Sequence, residues 1–354
     1  MDPRPALLSW NLTRACNLAC GHCYLDARQA SPDELTTDEG LDILRQMEAA
    51  GAEMVILSGG EPLLRPDFQT LVAEGARRGL TMVLGTNGCL LDEATASGLA
   101  SAGLRGAGIS LDSVRPKAHD AFRGIPGAWA AALRGLAACQ RAGIPVVLQA
   151  TVLPWNCYEL EDLVALAVEK GAWGINFYFL VCTGRGETMT NITPEQYRQS
   201  LRAIHRAQDR YPKTAVRARC APQIVAEETP GLSGAGCMAG DSYARITPEG
   251  DLTPCPYLPL TAGNLRRAGL SEIWRTALLL QALRGATPRQ CQPCRFRESC
   301  RGCRARGYAA SADLAGDDPW CRGPVSQPES EGRSLTWAPD ALERLSRVPS
   351  FVRP

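Results

Sequence analysis

Eleven of the fifteen cysteines stand in groups whose spacing suits metal chemistry. Near the start, Cys16, Cys20 and Cys23 read Cys-x3-Cys-x2-Cys within "CNLACGHCYL". A structural zinc takes four protein ligands, and the only other donor nearby, His22, is adjacent to Cys23, an awkward pair for one ion. Thiolates suit an iron-sulfur cluster, in which one iron can be left open for an exogenous ligand. Toward the other end Cys291, Cys294, Cys300 and Cys303 read Cys-x2-Cys-x5-Cys-x2-Cys; Cys321 follows, and Cys220, Cys237 and Cys255 precede. Such pairs occur in zinc ribbons and in iron-sulfur proteins alike. Cys89, Cys139, Cys157 and Cys182 stand alone in apolar or loop surroundings and read as small buried hydrophobes.

The remaining composition narrows the class. In 354 residues, 38 Lys and Arg balance 37 Asp and Glu, so nothing calls for nucleic acid or an anionic membrane as partner. There is no basic segment leading into an apolar secretory core and no run of apolar residues long enough to span a bilayer, so the expectation is a cytoplasmic protein. In that compartment clustered thiols point to metal, not disulfides.

The elements that must position these thiols are legible as alternation. Short apolar runs cover residues 7–13, 54–59, 81–87, 106–112, 145–153 and 174–181, and between them residues 37–50, 66–79, 92–103, 127–142, 159–171 and 194–211 carry apolar residues at helical spacing. Near-continuous apolar strands alternating with helices indicate an α/β fold with a parallel sheet, here a partial (β/α)6 barrel with its ligands at the carboxyl ends of the strands. The first cysteine loop leaves the end of the first strand. The expected organisation is a barrel over 1–211, a small irregular cysteine-rich domain over 212–325 held together by metal clusters, and a loosely ordered tail over 326–354 rich in Ser, Pro and charge. A helix is expected over 270–283.

In this setting Cys-x3-Cys-x2-Cys, with the ring of His22 before its last cysteine, resembles the signature of radical S-adenosylmethionine (SAM) enzymes. Further stretches follow in that family's order: "SGGEP" (58–62) closes the second strand, "TNG" (86–88) the third and "SLD" (110–112) the fourth. The resemblance implies that Cys16, Cys20 and Cys23 hold a 4Fe-4S cluster whose fourth iron takes the amino and carboxylate groups of SAM. An electron, from a donor such as flavodoxin or ferredoxin, would then cleave SAM to a 5′-deoxyadenosyl radical that abstracts hydrogen from the substrate. It implies Gly59, Gly60 and Glu61 at the methionine end of SAM and His22 beside the adenine. Asn87 and Ser110 become ribose or carboxylate contacts, or else caps of the following helices. Asp112 becomes a catalytic group at the barrel mouth, or a turn residue.

The second cysteine field resembles the SPASM extension, which implies two auxiliary 4Fe-4S clusters: one on Cys237, Cys255 and Cys303 with Cys220 as a fourth ligand, the other on Cys291, Cys294, Cys300 and Cys321. The spacing of two between Cys300 and Cys303, where three is commoner, departs from that pattern. "FYFLVCTGRG" (177–186) and "CRGCRARGYAASADLAGDDPWC" (300–321) are similar to SPASM enzymes that remodel tetrapyrrole propionates, by decarboxylation or oxidation, in haem biosynthesis. That implies cationic anchors, for which Arg185, Arg304 and Arg306 are the candidates. The alternative substrate is a ribosomally made peptide or protein side chain; the few residues before Cys16 weigh against a fused peptide-recognition domain. A non-enzymatic electron-transfer scaffold is the third reading, and the "GGEP" loop argues against it.

Overall fold

The computed structural model describes residues 3–189, 191–226 and 236–326; the expected tail lies, beyond residue 326, outside them. Ten strands form one sheet in the order β10-β9-β8-β1-β2-β3-β4-β5-β6-β7. The six expected strands are β1 (Leu7–Asn11), β2 (Met54–Ser58), β3 (Thr81–Thr86), β4 (Gly106–Ser110), β5 (Val146–Val152) and β6 (Gly174–Phe179). A seventh, β7 (Ala215–Arg219), continues the parallel series. On the other flank β8 (Tyr243–Ile246) pairs parallel with β1, and β9 (Asp251–Thr253) and β10 (Gly263–Asn264) follow antiparallel. The sheet therefore runs past residue 211 at one edge and takes in the cysteine-rich region at the other.

Seven helices connect the parallel strands: α1 (Thr37–Ala49), α2 (Phe68–Arg77), α3 (Glu93–Ser101), α4 (Pro116–Arg123), α5 (Ala128–Arg141), α6 (Leu160–Glu169) and α7 (Pro194–Arg210). Thr36 and Glu39 cap each other's backbone N–H groups to start α1, and Thr193 and Gln196 do the same for α7 behind Pro194. Later come α8 (Leu270–Thr276), α9 (Leu278–Gly285) and α10 (Arg304–Ser311). The helix expected over 270–283 is thus two, because Ala277 between them is extended.

One face of the sheet is apolar and covered. Leu8 and Trp10 of β1, Leu148 of β5 and Phe177 of β6 lie wholly buried in one core with the helices. Side chains alternate along a strand, so the intervening residues face the other way. These are Ser9 and Asn11 of β1, Gln149 of β5, Asn176 and Tyr178 of β6, Arg219 of β7, and Tyr243 and Arg245 of β8. The inner face is polar. In a flat sheet β6 and β8, six places apart, would lie about 29 Å from each other. Yet the Tyr257 phenol, after β9, lies near both Tyr178 and Tyr243, so the sheet curls into a partial barrel around that polar face.

Candidate functional site

The loop leaving β1 carries the first three cysteines. It is anchored by Cys16 N donating to Arg28 O (3.2 Å) and tightened by Cys23 N donating to Cys20 O (3.3 Å). Leu18 N points at Cys16 Sγ and Ala27 N at Cys23 Sγ, each 3.4 Å away. All the cysteines are free thiols. Cys16, Cys20 and Cys23 interact electrostatically, and burial pushes the Cys16 thiol up to about 11. Among the described residues no three His, Cys, Asp or Glu side chains converge on a position for a single ion. Three thiols on one loop, uncrosslinked and with backbone N–H groups aimed at two of the sulfurs, are a donor set that fits an iron-sulfur cluster better than a lone zinc.

The loop after β2 packs against this one at backbone distance. Gly60 N donates to Thr13 O and Glu61 N to Ala15 O, both at 2.7 Å. Gly59 has φ +140°, and a Cβ on Gly60 would lie 2.0 Å from Ala15 O, so the two glycines are demanded by the chain itself. The Glu61 carboxylate is fully buried and accepts from Thr86 Oγ1 (2.8 Å), Asn87 N (2.9 Å) and Leu63 N (3.3 Å). Burial pushes its carboxyl up to about 7 despite these bonds. The Glu61 carboxylate thus fastens the end of β3 to the β2 loop. Asn87, in turn, donates to Asn17 Oδ1 (2.7 Å) in the cysteine loop and accepts from Cys89 N (2.9 Å). Ser110 ends β4 on the inner face opposite Gln149.

Two residues of α4, a helix not expected, complete the neighbourhood. The Phe122 ring stacks on His22 at 4.3 Å between centroids, leaving His22 Nδ1 buried without a partner among the described residues. Burial lowers His22 to about 3, so the imidazole is neutral. Arg123 donates from Nε to Asp112 Oδ2 (2.6 Å) and brings Nη1 within 4.0 Å of Cys20 Sγ. Burial pushes the Cys20 thiol up, and the Arg123 charge opposes this. Asp112 is wholly buried and also accepts from Thr151 N (2.9 Å). Burial alone would raise its carboxyl, but Arg123 holds it below the usual range. At the carboxyl end of β4, Asp112 is thus the counter-ion of an arginine beside Cys20. Pro116 at the first turn and left-handed Gly124 after the last are the stop signals that mark α4 in the sequence.

The C-terminal thiols fall into two electrostatically coupled sets. Cys220, Cys237, Cys255 and Cys303 form one; Cys291, Cys294, Cys300 and Cys321 form the other. The sets are laced together, since Cys237 N donates to Cys300 O (3.1 Å) and Cys303 N to Asp318 Oδ2 (2.9 Å).

The three arginines read as substrate anchors are spent inside the fold. Arg185 donates to Cys20 O, Ala27 O and Asp26, bracing the first cysteine loop. Arg304 donates to the carbonyls of Leu283, Ala286 and Leu314. Arg306 pairs with Asp318 through Nε and Nη2 (3.0 and 2.8 Å), donates from Nη1 to Cys220 O (2.6 Å) and lies 4.2 Å from the Trp320 ring. Their donors have protein acceptors, which corrects that expectation. Among the described residues, no helix is long and apolar enough to cross a membrane.

Residues 10–167 match the Radical SAM superfamily, and residues 237–304 match SPASM, an iron-sulfur cluster-binding domain. The chain is 35% identical over 340 residues to the AdoMet-dependent heme synthase of Methanosarcina barkeri (strain Fusaro / DSM 804), covering 91% of this chain and 97% of that protein. It is 32% identical over 330 residues to the mycofactocin maturase MftC of Mycobacterium ulcerans (strain Agy99), covering 90% and 88%. The crystal structure of Streptococcus suis SuiB bound to S-adenosylmethionine shares the fold, with TM-score 0.74 and 19% identity over 90% of this chain and 78% of that one. Two cofactor types come with these matches, SAM and iron-sulfur clusters. A thiol-bearing loop at the end of β1, glycines packed against it after β2 and a cysteine-laced C-terminal region are thus the parts of an enzyme, and the chain belongs to the radical SAM superfamily.

Proposed function

We propose that this enzyme acts on the propionate side chains of a tetrapyrrole in haem biosynthesis, removing or oxidising them. The observation that carries the reading is the 35% identity to the AdoMet-dependent heme synthase over nearly the whole of both chains. Cys16, Cys20 and Cys23 would hold the SAM-binding cluster, and the two C-terminal sets would hold two auxiliary 4Fe-4S clusters. Bound there with SAM, the first cluster supplies the reductive cleavage that yields a 5′-deoxyadenosyl radical. The chain's own residues do the rest: Arg185 fixes the cysteine loop, Gly59 and Gly60 let the β2 loop approach it, and the inner face of the barrel receives the substrate. Flavodoxin or ferredoxin is the proposed electron donor.

The test is anaerobic incubation of the reconstituted protein with SAM, a low-potential reductant and an iron porphyrin bearing four propionates. Formation of 5′-deoxyadenosine together with loss of carbon dioxide from the porphyrin is the expected result; SAM cleavage with the porphyrin unchanged sinks the substrate assignment. The 32% identity to a mycofactocin maturase supports a second reading, modification of a ribosomally made peptide. A mass change in a short peptide co-expressed from a neighbouring gene is its signature.

A further inference from the structure

Among the described residues, the other buried arginines are neutralised or saturated: Arg123 by Asp112, Arg306 by Asp318, Arg304 by three carbonyls. Arg245 is neither. It projects from β8 onto the inner face and is only 9% exposed. Its Nη1 donates to Pro256 O at 3.3 Å, while its Nε is buried with no partner among the described residues. Its guanidinium lies 5.8 Å from the ring of Tyr24, which adjoins Cys23. Across the barrel Arg219, half-buried at the end of β7, stands in register with Tyr178 of β6 and adjoins Cys220. Among the described residues, no carboxylate pairs with either arginine.

The surroundings match a ligand that is flat and acidic. The Tyr24 and Tyr257 rings meet edge to face at 5.5 Å, and Tyr178 and Tyr243 lie near them. Asn11 and Asn176, both on the inner face, each leave a buried Oδ1 without a donor among the described residues. A buried guanidinium with most of its donors unused is costly, and a bidentate carboxylate from a ligand is the partner its geometry fits. Tyrosines offer faces for an aromatic ring and hydroxyls for its polar rim.

We propose that Arg245 and Arg219 are the substrate's carboxylate anchors, gripping acid side chains of a planar ligand laid on the tyrosine-lined inner face between Cys23 and Cys220. The proposal rests on the tetrapyrrole reading for the ligand's ring, but not for its charge. The test uses the reconstituted holoenzyme with SAM, and Arg245→Gln, Arg245→Lys and Arg219→Gln variants whose iron content and substrate-free SAM cleavage confirm that they are intact. Binding of an iron porphyrin with four propionates, followed by its Soret band, is expected to weaken about tenfold or more in each Gln variant, with Arg245→Lys between Gln and wild type. Binding of the tetramethyl ester should be weak and indifferent to the substitutions. Equal affinity of wild type and both Gln variants for the acid overturns the anchors and leaves the tetrapyrrole reading standing. If wild type ignores the porphyrin but binds butane-1,2,3,4-tetracarboxylate in an Arg245-dependent way by calorimetry, the anchors stand and the tetrapyrrole reading falls. Binding of neither probe overturns both.

Discussion

At the scale of single residues, the site is built by groups that fix one another. Cys20→Ala is expected to abolish 5′-deoxyadenosine formation and to lower iron by about four atoms per chain while leaving the C-terminal clusters loaded; metal analysis with SAM turnover checks both. Gly60→Ala forces a methyl against a backbone carbonyl that cannot swing away, so it should cost roughly 2 kcal/mol or more in stability, read by thermal unfolding. Gly108 makes the instructive contrast: a Cβ there would lie 2.1 Å from Gln149 Nε2, the far end of a flexible side chain. Gly108→Ala is expected to fold nearly as well as wild type.

His119 gives a pH prediction at the same scale. Its Nδ1 accepts the N–H of Asp112 at 3.1 Å, and burial lowers its pKa to about 4. The unfolded chain takes up the imidazole proton near the ordinary value of about 6.5, before the native chain does. Stability should therefore fall as pH drops from about 6.5 to about 4 and then flatten. His119→Asn keeps an acceptor without the titration, and a melting profile as steep as that of wild type in this window would rule the account out.

At the scale of elements, what was legible and what was hidden divide by what each strand faces. β1 to β6 announce themselves because their helix-facing positions are strongly apolar, as in Leu8 and Trp10 or Phe177 and Phe179. β7 reads "AVRAR" and β8 "YARI", where arginine and tyrosine on the inner face interrupt the apolar run. Residues placed for a ligand break the pattern that reveals a strand, so these two strands were lost together with the anchors they bear. The same holds for α4, whose eight residues are too few for a clear period. Cysteine spacing brings the thiols to notice, but a carboxylate's destination is not written in its motif. Glu61 and Asp112 turned inward because a backbone N–H or a guanidinium was there to meet them. Phe122→Ala should free the His22 ring, and a weakened apparent affinity for SAM with unchanged iron content is the expected readout.

At the scale of the molecule, β8 to α9 share the main core, whereas residues 286–326 add little to it and adjoin a small second cluster whose buried members are Val181, Leu258, Leu283, Cys303 and Ala305. So small a cluster leaves cohesion to the metal-binding thiols. Removing metal from the second C-terminal set, by Cys291→Ser with Cys300→Ser, is expected to open this region to limited proteolysis while the cleavage-resistant sheet persists. Intact resistance would show that the apolar contacts suffice.

The pairing of β8 with β1 has a bearing on biosynthesis. One edge of β1 is covered by residues 243–246, and at ordinary translation speeds these leave the ribosome on the order of tens of seconds after β1 does. For that interval the nascent chain exposes an open strand edge beside a loop of three oxidisable thiols, and this is the window in which edge pairing with another chain and thiol oxidation compete with folding.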